Sequence, residues 1–262
     1  MKLIFQSAGK NVFAGFLMVG ILTSFFYNEL SYSDSEDLAL AHSPNYTSNI
    51  HIAVVEKFPL PQGYHEGLLW HDNRIWVSNG KGGNIWIVNP EDGAIDNEIK
   101  TIGSFTEAVV STGRGIFRVT DWDDKKIYSV KIENNKMEER GAVNIENARP
   151  AGMVSIKDKI YVITWERGLG TKYFLLEFDE KNNILRKIQI KRIHEPAHLA
   201  WDGNNLWITS WFNGFVYKID IETLEILGSF KAPVSDTTGI TWDGDFFWIT
   251  GTNSNLYKLK VE

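Results

Sequence analysis

The sequence contains no cysteine. Disulfide bridges, a lipid anchor on a cysteine and a thiolate metal site are therefore excluded. Basic clusters are absent as well, since the 27 Lys and Arg are dispersed among 33 Asp and Glu and the formal net charge is -6. Nucleic-acid-binding domains concentrate positive charge on one face, so we expect no nucleic-acid partner.

The motifs of several enzyme classes are also missing. We find no nucleophile elbow, no phosphate-binding loop and no helix with the His-x-x-x-His spacing of a zinc site. The chain is instead rich in tryptophan and glycine, with 10 Trp and 22 Gly in 262 residues. This composition is typical of many short strands separated by turns, as in a propeller or a barrel, and the length suits one all-β domain.

An apolar run, residues 12–27, follows Lys2 and Lys10 near the N-terminus. Positive charge before an apolar run is the pattern of a secretory signal and places the following chain outside the cytoplasm. We therefore expect residues 1–27 to be a signal peptide or an uncleaved membrane anchor, and the pattern leaves cleavage open. The protein would contact a membrane only through this segment. Residues 28–49 are interpreted as a flexible linker.

From residue 50 onwards the sequence repeats a unit of four short strands. The clearest copy, residues 198–230, has an Asp-Gly turn between two apolar segments, which is a strong signal for a β-hairpin. The aromatic residues of the second strands align at spacings of 41, 44, 46 and 41 residues, and they are Trp76, Phe117, Tyr161, Trp207 and Trp248. Periods of about 40 to 50 residues with four strands each are typical of propeller blades.

The two ends of this region complement each other. The fifth unit stops after its third strand, whereas residues 50–58 form an additional strand before the first unit. Pairing this strand with the last unit would close a ring and leave no free sheet edge. For residues 50–262 we therefore predict an all-β fold, a five-bladed β-propeller of four-stranded antiparallel blades closed by the N-terminal strand. We expect it to be a monomer.

The starts of the first strands supply a candidate site. In a propeller the first strands of the units crowd the central axis, which favours small residues at their starts. Four units have one, namely Gly67, Ala108, Gly152 and Gly239, whereas the fourth unit has His198. These starts share a face with the loops that leave the second strands. The residues expected on that face are His65, Glu66, Glu107, Arg149, His194, Glu195, His198 and Asp236, together with Trp122, Trp165 and Trp211 from the loops. Polar groups that converge beside aromatic side chains are typical of a ligand site.

Each candidate also has a structural interpretation. Glu66 and Glu107 occupy the same position in adjacent units, so they either raise each other's pKa, share a cation or line a solvated channel mouth. The three tryptophans either line a pocket or pack between blades. His198 either contacts a ligand or is hydrogen-bonded inside the channel. Arg149 either pairs with one of the glutamates or binds an anionic ligand.

Several segments resemble the plant and bacterial type of glutamine cyclotransferase, a five-bladed propeller that converts N-terminal Gln to pyroglutamate. YHEGLLW (residues 64–70) is similar to FTQGLLY of that family, and IWVSNG (75–80) is similar to LFESTG. FTEAVV (105–110) is similar to FGEGLT, and GITWDGDFFWITG (239–251) is similar to the closing segment GIAWD and FVTGK. The resemblance implies the fold of that family for residues 50–262.

The sequence differs from this family at the positions to which the family's catalytic residues belong. The resemblance implies a general acid/base at the Glu of FEST, and that position is Val77 here. The family's Gln before GLL is Glu66, its closing Lys is Thr252, and its NELE segment has no counterpart in the fourth unit. Glu107 does match the family's Glu in the second unit. A valine cannot transfer the protons that release ammonia from Gln.

Three functions are compatible with these residues. The first is a binding domain for a peptide N-terminus, a sugar or another small molecule, with ligand contacts from His65, Trp122, Arg149, Trp165, His198 and Trp211. The second is a divergent cyclotransferase that uses Glu107 or Glu66 as its proton shuttle. The third is a metal-dependent hydrolase, because HEGLLW is also similar to the Glu-Gly-Pro-x-Trp segment of gluconolactonase-like propellers. That function would need a divalent cation in the central channel near Glu66, Glu107 and His198, and no other cofactor is expected.

Overall fold

The computed structural model describes residues 49–262. The predicted signal peptide or anchor, residues 1–27, lies outside the described residues, as does the predicted linker up to residue 48. The described chain consists of β-strands with one short 3-10 helix, Gly80–Gly82, so the all-β prediction is confirmed. Between residues 49 and 262 there is no helix with the length and hydrophobicity to cross a membrane.

Twenty strands follow one another within the described residues. The first ten are β1 (Ile52–Pro59), β2 (His65–His71), β3 (Arg74–Asn79), β4 (Asn84–Val88), β5 (Ile95–Lys100), β6 (Thr106–Ser111), β7 (Ile116–Asp121), β8 (Lys126–Glu133), β9 (Lys136–Asn144) and β10 (Ala148–Ile156). The remaining ten are β11 (Lys159–Arg167), β12 (Thr171–Phe178), β13 (Ile184–Ile190), β14 (Pro196–Trp201), β15 (Leu206–Ser210), β16 (Phe215–Ile219), β17 (Ile226–Lys231), β18 (Thr237–Trp242), β19 (Phe247–Gly251) and β20 (Asn255–Val261).

The strands pair within the predicted units. Strands β10 to β13 form one four-stranded antiparallel sheet in chain order, and β14 to β17 form another. Strands β18, β19 and β20 form a third sheet with β1 at its edge. In that sheet β1 runs antiparallel to β20, with Ile52 opposite Val261 and Pro59 opposite Asn255.

The first two units differ from the prediction of separate sheets, because they are joined in one eight-stranded sheet, β2-β3-β4-β5-β9-β8-β7-β6. The joint is a single parallel pairing of Lys100 with Lys136 between the outer strands β5 and β9. Beside it, the side chains of Asn97 and Asn135 exchange two hydrogen bonds of 3.1 and 2.8 Å. Each half of the sheet remains an antiparallel four-stranded unit, so the eight strands are two units linked at their outer edges.

The first strands of the five units pack against one another. β2 contacts β6 and β18, β10 contacts β6 and β14, and β14 contacts β18. The last strands of the units lie farthest from this ring, and β5 and β13 expose most of their residues. The third strand β4 is buried throughout. The core therefore lies between neighbouring sheets and around the ring of first strands.

The strand register corrects one position of the sequence alignment. Trp76 pairs with Leu69, two residues after the small residue of β2. The residue at the same place in the second unit is Arg118, which pairs with Val110, and not Phe117. Because strand side chains alternate between faces, Phe117 points to the other side of β7 and stacks on Trp76 with ring centroids 5.1 Å apart. The alignment therefore matched an aromatic residue to the wrong face.

The Asp-Gly turns fix both the hairpins and the core tryptophans. Asp202 accepts the backbone N–H of Asn205 at 2.6 Å with one carboxylate oxygen and the indole N–H of Trp207 at 2.8 Å with the other. In the fifth unit Asp243 accepts the indole N–H of Trp248 at 2.7 Å in the same way. A carboxylate that closes a turn and orients the tryptophan of the next strand explains why the sequence WDG-x-x-x-W recurs.

Candidate functional site

Every first strand contains a β-bulge near its start. The regular pairing is interrupted between His65 and Leu68 and between Thr106 and Ala108, and it is interrupted at the corresponding places in β10, β14 and β18. A bulge inserts an extra residue into the strand and interrupts the alternation of side chains between its two faces. The side chain at the bulge therefore points in a different direction. The residues at these bulges include Glu66, Glu107, Ala151, Ala197 and Thr238. Two carboxyl groups are therefore presented by adjacent first strands.

The middle of the ring is filled by backbone and by His198. A Cβ atom on Gly152 would lie 2.3 Å from the Cα of His198, and one on Gly239 would lie 2.3 Å from the carbonyl oxygen of Glu66. A Cβ on Gly67 would meet Nε2 of His198 at 2.5 Å. Because β14 packs against β10 and β18, the imidazole reaches β2 across the middle of the ring. Glycine is required at these places for close approach.

His198 is only 2% exposed and is held by two hydrogen bonds. Its Nδ1 donates to the carbonyl oxygen of Ile240 at 3.0 Å, and its backbone N–H donates to Oγ1 of Thr209 at 2.9 Å. Nε2 is then the acceptor of the neutral ring, and it has no hydrogen-bond partner within residues 49–262. Burial lowers the pKa of His198 to about 4, so the ring is uncharged near neutral pH.

Glu66 and Glu107 are partly exposed but largely surrounded by protein. Burial raises the pKa of Glu66 to about 8. Burial raises the pKa of Glu107 well above its usual range, and the charges of Glu66, Asp121 and Asp123 raise it further, while Arg149 opposes the rise. Carboxyl groups that interact in this way titrate as a pair, so the pair retains a proton near neutral pH.

Arg149 lies at the rim, between these acids and the tryptophans. Its Nη1 is 3.2 Å from Oδ1 of Asp123, and its guanidinium lies 5.2 Å from the ring centroid of Trp122. The ion pair of Arg149 is thus formed with an aspartate of the same rim. The stacking on Trp122 orients the guanidinium, since a cation is attracted to the face of an indole ring.

The three predicted tryptophans differ in their exposure. Trp122 and Trp165 are half-buried, and their rings meet edge to face with centroids 5.2 Å apart. The indole N–H of Trp165 donates to the carbonyl oxygen of Pro196 at 2.8 Å, which links the third unit to the fourth. Trp211, in contrast, is 44% exposed. The first two tryptophans therefore pack between units, whereas the third presents its ring to solvent.

Aromatic contacts continue beyond Trp165. Tyr173 meets Trp165 at 5.0 Å, His194 meets Tyr173 at 5.8 Å, and Phe212 meets His194 at 4.5 Å between ring centroids. Together with Trp122, these rings form a continuous series across the second, third and fourth units. We call this series, Trp122, Trp165, Tyr173, His194 and Phe212, the aromatic stripe.

His65 lies beneath this face and anchors the start of β2. It is 2% exposed, and its Nε2 donates to the carbonyl oxygen of Pro61 at 2.8 Å. The ring lies 5.4 Å from that of Trp86, and the hydroxyl of Thr238 donates to the backbone carbonyl of His65 at 2.5 Å. Burial lowers the pKa of His65. These contacts connect the first unit to the fifth.

The two positions at which the sequence departs from the cyclotransferases lie in different environments. Val77 is completely buried and packs in an apolar cluster with Leu68, Trp86 and Trp248. Thr252 is on the same face as the bulges, where its hydroxyl donates to Oδ2 of Asp236 at 2.9 Å. The first position contributes to the core, and the second forms a polar contact at the rim.

His194 and His198 have the spacing of a zinc-binding His pair, but they do not lie on a helix, since His194 is in a bend before β14 and Glu195 has a φ of 48°. In the part of the chain that the structure describes, no three His, Asp or Glu side chains are grouped so as to hold a metal ion. The cation in the central channel therefore stays a prediction.

A groove of about 390 Å³ lies at the opposite end of the fourth and fifth units. Its walls include Asp202, Lys218, Trp242 and Phe247, and none of the predicted site residues lines it. Aromatic walls alone do not specify a ligand, so the convergent acids at the bulges remain the stronger candidate.

Two features of the face were not predicted from the sequence, namely the raised pKa of Glu195, which was itself expected there, and the hydroxyl groups beside the bulges. Burial raises the pKa of Glu195 to about 7, which makes it a third acid there that is readily protonated. Hydroxyl groups also support the bulges, since Oγ1 of Thr120 accepts the N–H of Ala108 at 3.0 Å and Thr209 does the same for His198. The available signal was a Ser or Thr after Val or Ile in all five second strands, namely Ser78, Thr120, Thr164, Thr209 and Thr250.

No protein-family model matches the sequence, and no curated protein is significantly similar to it. The structure is similar to the crystal structure of the glutaminyl cyclase from Myxococcus xanthus, with a TM-score of 0.67 and 14% identity, covering 81% of this chain and 97% of that one. It is also similar to the PQQ-bound aldose sugar dehydrogenase from Streptomyces coelicolor, with a TM-score of 0.57 and 10% identity over 83% of this chain and 100% of that one.

A third similar structure is the virginiamycin B lyase from Staphylococcus aureus, with a TM-score of 0.55 and 12% identity over 80% of this chain and 99% of that one. Identities this low carry the fold and not the chemistry, since one fold supports unrelated activities. The described residues thus have a β-propeller fold like that of the glutaminyl cyclase.

Proposed function

We propose that residues 50–262 are a five-bladed propeller, closed by β1, that binds the protonated amine of a peptide N-terminus or of a small molecule. Glu66 and Glu107 would hold the amine, and the tryptophans beside them would form the rim. The observation that carries this proposal is the pair of partly buried carboxyls on adjacent bulges, whose pKa values burial raises.

The chemistry of the pair favours a cationic ligand. Two carboxyls in a desolvated setting are costly to ionise unless a positive charge joins them. An ammonium group supplies that charge and donates three hydrogen bonds. Asp121 and Asp123 add to the negative potential at Glu107, which favours a cation further. Binding would lower the pKa values of the pair and release its proton.

The environment of Val77 supports a binding role over catalysis. The resemblance to the cyclotransferases implies an acid/base at this position, and the valine is fully buried among apolar side chains. We infer that the fold of the glutaminyl cyclase is kept here without its usual proton shuttle. We further propose that residues 1–27 direct this domain out of the cytoplasm and that it acts there as a monomer.

Calorimetric titration with a Gln-initiated peptide tests the proposal. The free N-terminus should bind, and its N-acetylated form should not, because acetylation removes the positive charge. Glu66→Gln and Glu107→Gln should each weaken binding, whereas Glu98→Gln on the exposed strand β5 should leave it unchanged. Equal affinity for the free and the acetylated peptide would show that the carboxyls do not hold the amine.

A divergent cyclotransferase is the second candidate, because a carboxyl with a pKa of about 8 is poised for proton transfer near neutral pH. The α-amine nitrogen would bond to the side-chain carboxamide carbon of Gln, and the bond from that carbon to the amide nitrogen would break. Glu66 or Glu107 would accept the amine's proton and return it to the departing ammonia. Ammonia release that disappears in both Gln variants would support this activity, and its absence in the unmodified protein would exclude it.

A further inference from the structure

We propose that the accessible members of the aromatic stripe, Trp122, Trp165, His194 and Phe212, and the tip of the β11–β12 hairpin bind the apolar side chains that follow a peptide's N-terminus. Tyr173 is 7% exposed and supports these rings from the core. The inference rests on the proposed amine site at Glu66 and Glu107 and narrows its ligand to a peptide with large apolar residues after the first position. A free small amine would use the carboxyls alone and would therefore bind more weakly.

The tip of the β11–β12 hairpin carries an exposed leucine. Strands β11 and β12 remain paired out to Arg167 opposite Thr171, and the tip between them is Gly168, Leu169 and Gly170. Leu169 is fully exposed. A leucine at a projecting tip between two glycines contributes nothing to the core, and exposed apolar side chains of this kind mark interaction sites when others lie nearby.

Other large apolar side chains are exposed on the same face. Tyr64 is 52% exposed, Trp211 is 44% exposed and Phe212 is 39% exposed. They lie at the start of β2 and in the loop after β15, and Phe212 is also the outer end of the aromatic stripe. Tryptophan and tyrosine supply large contact areas in recognition surfaces at a low entropic cost.

The stripe is continuous with the proposed amine site. At its inner end Trp122 stacks under Arg149, whose charge acts on Glu107. From there the rings lead outwards through the third unit to Phe212 in the fourth. An extended peptide advances about 3.3 Å per residue, so a chain anchored by its amine would place about its second to fifth residues along the stripe.

The geometry favours a peptide over a sugar or a lipid surface. The rings of Trp122, Trp165 and Tyr173 meet at interplanar angles of 79° and 74°, so they do not form a row of parallel faces on which sugar rings could stack. The formal net charge of -6 would repel anionic headgroups. A peptide with a positive N-terminus followed by apolar side chains matches both features.

The experiment compares four peptides of equal length by titration calorimetry. Two have Leu-Phe-Leu at positions two to four and two have Ser-Gly-Ser, and each pair contains one free and one N-acetylated N-terminus. The free apolar peptide should bind at least about tenfold more tightly than the free polar one, because large apolar surfaces leave water. Leu169→Ser and Trp211→Ser should each reduce that ratio, with folding checked by thermal unfolding.

Matched controls are Ile184→Ser and Leu227→Ser, which replace exposed apolar residues on the outer strands β13 and β17 and should leave the ratio unchanged. Equal affinity for the apolar and polar free peptides would overturn this inference while leaving the amine site intact. Loss of the difference between free and acetylated peptides would instead overturn the amine site. Binding to lipid vesicles, or self-association abolished by Leu169→Ser, would assign the surface to another occupant and would also overturn the inference.

Discussion

The imidazole of His198 occupies the space that a side chain on Gly67 would need, with Nε2 2.5 Å from the position of the missing Cβ. The two residues belong to the fourth and first units, so one side chain spans the middle of the ring of first strands. The residue before Gly67 is Glu66, one of the two acids at the bulges. The floor of the candidate site is thus built from a neutral histidine and glycine backbone.

Close packing at this floor predicts a large penalty for added volume. Gly152→Ala would put a Cβ 2.3 Å from the backbone of His198, which cannot move aside as a flexible side chain could. We expect this change to lower the free energy of unfolding by about 1–3 kcal/mol or more. Gly168→Ala is the matched control, because nothing lies within 4 Å of its added Cβ. Urea unfolding of both variants measures the difference, and equal stabilities would contradict the packing described for the ring.

The buried neutral state of His198 predicts acid sensitivity. Its pKa is about 4 in the folded state against 6.5 as the reference value, so the unfolded chain takes up the proton first as the pH falls. Stability is therefore lost between about pH 6.5 and pH 4, by about 3 kcal/mol for this group. We expect His198→Gln to remove this part of the acid dependence. Urea unfolding midpoints of the unmodified protein and of His198→Gln at about pH 7 and pH 5 test this prediction. An equal loss of stability between the two pH values in both proteins would rule it out.

The acid pair predicts the opposite trend over an overlapping pH range. Glu66 has a raised pKa of about 8, so the folded state keeps its proton where the unfolded state has lost it. Stability should therefore fall as the pH rises from about 4.5 to 8. Glu66→Gln, which stays neutral, should be more stable than the unmodified protein at about pH 8 by at least about 1 kcal/mol. Thermal unfolding across this range measures it, and a stabilisation that does not grow with pH would contradict the raised pKa.

Trp165 links two units through its indole, and this predicts a defined loss. Trp165→Phe keeps an aromatic ring but removes the N–H that Pro196 accepts, so we expect a cost of about 1–3 kcal/mol. Trp211→Phe, at an exposed position, should change stability by less than about 0.5 kcal/mol. Denaturant unfolding of the Trp165→Phe and Trp211→Phe variants measures the two costs. Similar values for both variants would mean that the bond to Pro196 has no structural role.

Much of the fold could be predicted from residue patterns, because each hairpin carries a local signal. The Asp-Gly turn at Asp202 and the aromatic Trp207 are specified within a few residues of each other, and the same holds for Asp243 and Trp248. The register of the second unit could not be predicted in this way. Phe117 is the aromatic residue of its strand, and only the pairing with β6 shows that Arg118 is the equivalent of Trp76.

The candidate site was predictable in its membership but not in its geometry. Glu66 and Glu107 stand out because they share one position in adjacent units. The bulge at Glu107 is held by the hydroxyl of Thr120 on the neighbouring strand, and this contact is not local in sequence. The aromatic stripe also escaped prediction, since its members Tyr173 and Phe212 come from strands and loops whose proximity only the tertiary structure provides.

The most direct test of the central claim is a titration of one Gln-initiated peptide into the unmodified protein and into the Glu66→Gln/Glu107→Gln double variant. Mass analysis of the recovered peptide completes the measurement. The proposal predicts binding to the unmodified protein, loss of binding in the double variant and recovery of the peptide with its N-terminal Gln intact. Equal binding to both proteins, or recovery of the peptide as pyroglutamate, would contradict it.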